Sequence, residues 1–74
     1  MHTDPLIRMA NQIGSFFEAM PDRAEALEGI VQHIRKFWDP RMRTALMAQV
    51  DGGHAADLSP TVAEALARHR SVLF

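Results

Sequence analysis

Three observations predict an all-α fold. Helix-start signals recur four times, apolar residues recur at steps of three and four, and no segment alternates with the period of two that a strand needs. The expected architecture is a small bundle of three compact helices plus a short fourth C-terminal helix, without strands. At 74 residues the chain makes one small helical domain, residues 1–74. Folding at this length buries only about 60% of the exposable surface, so stability is expected to be marginal.

The first helix is expected over about 5–20. Asp4 supplies a capping carboxylate, and Pro5 suits the first helical turn while excluding helix before it. Leu6, Met9, Ala10, Ile13, Phe16, Phe17 and Met20 then recur as one helical stripe. The second helix, about 22–38, starts at Asp22 with Glu25 three residues on, a variant of the capping box. Its stripe is Leu27, Ile30, Val31, Ile34, Phe37 and Trp38. The third, about 40–51, opens on Asp39-Pro40 and carries the weaker stripe Met42, Ala45, Leu46, Gln49 and Val50. Gly52 is placed to end it in a left-handed turn. The fourth, about 60–70, opens on Ser59-Pro60, with Val62, Ala65, Leu66 and the polar His69 on one face. The loop before it suggests that helices one to three form the compact unit. The fourth is then a loosely attached arm that ends in Val72-Leu73-Phe74.

Composition excludes several function classes. With no cysteine, the chain has neither disulfides nor thiolate-bound zinc or iron–sulfur clusters. A net charge of -1 argues against a dedicated nucleic-acid binder and gives no attraction to anionic membranes. No uncharged apolar run approaches the roughly 20 residues that span a bilayer. The opening residues do not read as a secretory signal, so the expected location is cytoplasmic.

Chemistry is equally sparse. His2, His33, His54 and His69 are scattered, without the i, i+4 spacing of a helical metal site, and read as surface or half-buried side chains. Ser15, Ser59 and Ser71 have no nucleophile context. Asp4, Asp22 and Asp39 are explained by capping more simply than by acid–base work. So small a bundle also has little room for an enclosed active site. The chain is therefore not expected to be an enzyme or to hold a cofactor.

The corner Arg35-Lys36-Phe37-Trp38-Asp39-Pro40-Arg41-Met42-Arg43 stands out. Arg35 and Lys36 complement the end of the second helix, whereas Arg41 and Arg43 oppose the dipole at the start of the third and need another reason. Arg43 falls where its guanidinium can sit over Trp38. Two readings stand: Phe37 and Trp38 finish the core beneath solvated charges, or the corner is an interface hot spot. Gly14 and Gly29 mark strips where another helix approaches closely, each costing about 1 kcal/mol relative to alanine. Ile7, Phe17, Trp38 and Met47 lie at the edges of their stripes, an apolar excess that points to a partner.

Across the chain, Leu6-Ile7-Arg8-Met9-Ala10-Asn11-Gln12-Ile13, Phe16-Phe17 with Met20-Pro21, His33-Ile34-Arg35 with Phe37-Trp38, Pro40-Arg41-Met42 and Leu58-Ser59-Pro60 follow one another in order. In this series the chain resembles the delta subunit of the soluble, molybdenum-containing, NAD-dependent formate dehydrogenases, from Leu6 to Arg70. The resemblance implies a non-catalytic accessory subunit of a cytoplasmic complex. In that complex the alpha subunit holds molybdenum bis-pterin guanine dinucleotide and iron–sulfur clusters, and the beta and gamma subunits carry FMN and further clusters. Docking on the alpha subunit is expected through Phe37, Trp38, Arg41 and Arg43, with Arg35 and Phe17 beside them. The alternatives are a transient maturation chaperone for molybdenum-cofactor insertion and, from another class, a small helical nucleic-acid-binding regulator.

Overall fold

Side-chain caps set where each long helix begins. In the computed structural model, which describes residues 4–73, the Leu6 N–H donates to Asp4 Oδ1 at 2.8 Å and opens α1, Pro5–Phe17. The Glu25 N–H donates to Asp22 at 3.0 Å and opens α2, Arg23–Phe37. The Met42 N–H does the same at Asp39, 3.0 Å, for α3, Pro40–Gln49, and the Val62 N–H at Ser59 Oγ, 3.4 Å, for α4, Pro60–Arg68. A final turn, α5, spans Arg70–Leu73. Every described element is helix or turn, so the all-α class stands. His2 and Phe74 lie outside the described residues.

Helix ends differ from expectation more than starts. The first helix stops at Phe17 rather than 20, because Pro21 bars Met20 from helical geometry and the chain tightens early. The Met20 N–H bonds the Phe17 carbonyl at 3.0 Å, a three-residue step. After Gln49 the backbone widens through Val50–His54 and tightens again through Ala55–Asp57. This wide turn moves the reversal one residue on, so Gly53, at φ 99°, takes the left-handed role expected of Gly52. His69 leaves helical geometry, at φ -115° and ψ 26°, and separates α4 from α5.

The expected loose arm is instead part of the core. Val62, Ala65 and Leu66 of α4 are buried against Ile7 and Ala10 of α1, Leu27, Ile30, Val31 and Ile34 of α2, and Leu46 of α3. Gly14 lets α1 approach α4, because a Cβ there would run into Val62 Cγ2. Leu58 and Leu73 are buried on either side of α4, so both of its ends are anchored. With α4 inside, each other helix has neighbours on more than one side. Ile7 and Met47, expected at the margins, are buried in the same core.

Three polar ties close the seams. Asn11 Nδ2 donates to the Asp57 carbonyl at 3.1 Å, while the Ser59 N–H donates to Asn11 Oδ1 at 2.9 Å. Arg23 Nε donates to Glu64 at 3.1 Å and joins α2 to α4. Arg70 meets Asp51 with two bonds, 2.9 and 2.6 Å, and holds α5 to the chain leaving α3.

Candidate functional site

The first two helices do not bury all of their apolar surface. Their stripes leave Met9, Phe16 and Phe37 exposed at 40%, 75% and 72%. An open groove of about 400 Å³ runs between α1 and α2, with Met9, Ile13 and Phe16 on one wall and Phe17, His33 and Trp38 against the other. Phe16 and Phe17 are adjacent in sequence, hence about 100° apart around the helix, so one packs inward while the other faces solvent.

Aromatic rings form a ladder along this groove. Phe16 meets Phe17 edge to face, with centroids 5.2 Å apart and planes at 86°. Phe17 then meets His33 at 6.3 Å, and His33 meets Phe37 at 4.7 Å with a 40° tilt. Phe17 rests on Gly29, where a Cβ would stand 2.6 Å from its ring. The close-approach strip read at Gly29 is therefore filled from within the chain. His33 and Phe37, four residues apart, share one face of α2 and extend the ladder past the helix pair.

The residues singled out from the sequence fall into separate roles. Half-buried Phe17 lines the groove, and exposed Phe37 continues the aromatic ladder through its contact with His33. Trp38 is 5% exposed, packs in the core and lines the groove from within. Arg35 and Arg41 are exposed. Arg43 is half-buried, and its Nη1 donates to the Arg35 carbonyl at 2.8 Å. It thereby satisfies an orphan carbonyl at the end of α2 and answers why a cation stands at the start of α3. Met9, Ile13 and Phe16 were not singled out as surface, and His33 was read as a surface or half-buried side chain with no groove beside it. The available signal was the stripe of α1, which is wider than one buried face can use.

Among the described residues, the carboxyls with shifted ionisation sit at joints between elements. The Arg70 hydrogen bonds hold the Asp51 carboxyl below its ordinary range, and Asp51 raises Arg70 in turn. Arg23, with Arg68 adding its charge, lowers Glu64. A Gln49 side-chain hydrogen bond and the Leu6 N–H lower Asp4. Among the described residues, no three His, Cys, Asp or Glu side chains are grouped to hold a metal ion. No described helix is long and apolar enough to cross a membrane.

No curated protein and no solved structure matches the chain. Residues 5–66, which take in α1 to α3 and most of α4, match the family model described as NADH-dependent formate dehydrogenase delta subunit FdsD. With most of its length matched, the chain belongs to that family of formate dehydrogenase delta subunits.

Proposed function

We infer that this chain is a non-catalytic accessory subunit of a cytoplasmic NAD-dependent formate dehydrogenase. It docks on the alpha subunit and stabilises or assembles it. The observation that carries the reading is the exposed aromatic groove of α1 and α2 in a family whose members are subunits of a larger enzyme. Single exposed apolar residues are ordinary, but a contiguous ladder is the kind of surface that a partner covers.

The division of labour follows from chemistry. This chain has no cysteine, so iron–sulfur ligation falls to other subunits. Molybdenum bis-pterin guanine dinucleotide and FMN belong to the alpha subunit and its beta and gamma partners. Phe17 and Phe37 carry the contact, with Arg35 and Arg41 at its edge. Trp38 and Arg43 hold the corner in shape from behind.

Purification of a tagged copy from its native host, with stoichiometry read by native mass spectrometry, tests this reading. One copy per cofactor-loaded alpha chain is the expected result. Recovery only with cofactor-free alpha chain would make the protein a maturation chaperone. Recovery of no dehydrogenase subunit would overturn both.

A further inference from the structure

We propose that the α1–α2 groove receives one amphipathic helix of the partner subunit, oriented by charge. Its acidic end lies beside Lys36 and Arg41, and its basic end beside Glu18 and Glu25. The inference rests on the accessory-subunit reading and specifies what occupies the groove.

Shape comes first. The groove is concave, about 400 Å³, and open along its length. A helix offers the convex ridge that fills such a groove, with apolar anchors at i, i+3 or i+4, and i+7. A second copy of this chain presents the same concavity, and two facing grooves leave each other unfilled.

Charge supplies the direction. The short turn between α1 and α2 makes them antiparallel, so the groove has two distinct ends. Glu18, in that turn, and Glu25, in the first turn of α2, stand at the Phe16–Phe17 end. Lys36 and Arg41 stand at the Phe37 end. Glu25, Gly29, His33 and Lys36 follow steps of four, four and three, so both charges flank the ladder on one face of α2. About 17 Å of helix axis separates them, three turns of a docked helix. All four charged side chains are exposed, and among the described residues none forms an ion pair.

Helix dipoles do not account for this polarity. They favour Glu25 near the start of α2 and Lys36 near its end. Glu18, however, follows the C-terminal end of α1, and Arg41 sits in the first turn of α3, each on the disfavoured end of its helix. Both nevertheless reinforce the charge of the groove end they occupy.

Binding kinetics of the full chain against purified alpha subunit, by biolayer interferometry at low and high salt, test the proposal. Rim charges act mainly on association, and buried anchors mainly on dissociation. Phe16→Ser and Phe37→Ser, whose side chains lie mostly in solvent and leave the fold intact by circular dichroism, should each speed dissociation at least about tenfold. The double variant Lys36→Glu, Arg41→Glu should slow association about tenfold at low salt, with the difference shrinking at high salt. Ala48→Glu, on the exposed side of α3, should change neither rate. Unchanged dissociation of both Phe variants would overturn the groove as the site while leaving the subunit reading in place. Unchanged association of the charge-reversed variant would overturn the oriented helix. Sedimentation showing a dimer of this chain that Phe37→Ser abolishes would assign the groove to self-association instead. A wild-type chain that does not bind alpha subunit would overturn the inference together with the function it rests on.

Discussion

Asn11 joins segments far apart in sequence with one side-chain amide. Its nitrogen donates to the Asp57 carbonyl and its oxygen accepts the Ser59 N–H. The loop ahead of α4 is thereby fixed to α1, and Ser59 is held where it caps the next helix. Asn11→Ala removes both bonds and should cost about 1–2 kcal/mol. Hydrogen exchange should quicken at residues 55–59 before anywhere else. Trp38 and Phe37 show how neighbours divide at a helix end: at the last turn of α2 one side chain enters the core and the other remains 72% exposed. Trp38→Ala should therefore cost about 3–5 kcal/mol, a large part of what so short a chain has, and thermal melting followed by circular dichroism would show it. Phe37→Ala should shift the melting temperature little. Had Trp38 been the contact and Phe37 the core residue, the two results would exchange.

At the scale of elements, starts were legible and ends were not. Asp4, Asp22, Asp39 and Ser59 are local signals, because a capping side chain reaches only two or three residues onward, and all four accept the expected bonds. Ends depend on where the chain must go next. The wide turn after Gln49 and the break at His69 follow from bringing Leu58, Val62 and Leu73 into a shared core. No short-range pattern encodes that destination. The misreading of α4 as an arm has the same origin: a nine-residue helix with one polar stripe position looks weak alone. Its burial is decided by Gly14 on a helix far upstream. Gly14→Ala should destabilise the fold by about 1–3 kcal/mol in spite of alanine's better helix propensity, since the new methyl meets Val62. Adding Val62→Ala should reverse part of that loss, and a double-mutant cycle on unfolding midpoints measures the coupling. The groove was half legible. Phe17 was visible as part of an apolar excess at the stripe edges, and Phe37 as part of the aromatic and basic corner. Phe16 was hidden within a stripe that seemed to account for it.

The whole molecule, 32 × 27 × 18 Å, is tied at its seams by the same groups whose ionisation is perturbed. Asp4 accepts from Gln49 across α1 and α3, Glu64 from Arg23 across α4 and α2, and Asp51 from Arg70 at α5. Each carboxyl is lowered on folding, so the folded state favours the ionised form. Its contribution is complete above the ordinary values of 3.8 and 4.5 and is lost as pH falls through the lowered ones. Urea unfolding midpoints should therefore be flat from neutral pH down to about pH 5 and drop below it. These ties are exposed, so added salt should shrink the drop.

The groove lies apart from these seams, and its outer side chains, Met9 and Phe16, are exposed. The fold is held by α2 and α4 with their ties, and we propose that the partner is met by α1 and α2 on their open side. Hydrogen–deuterium exchange of the chain, free and bound to formate dehydrogenase, tests it most directly. The expected footprint is slowed exchange over residues 9–18 and 29–37, with 44–48 and 60–68 unchanged. Protection confined to 44–48 or 60–68, with the groove helices unaffected, would contradict it.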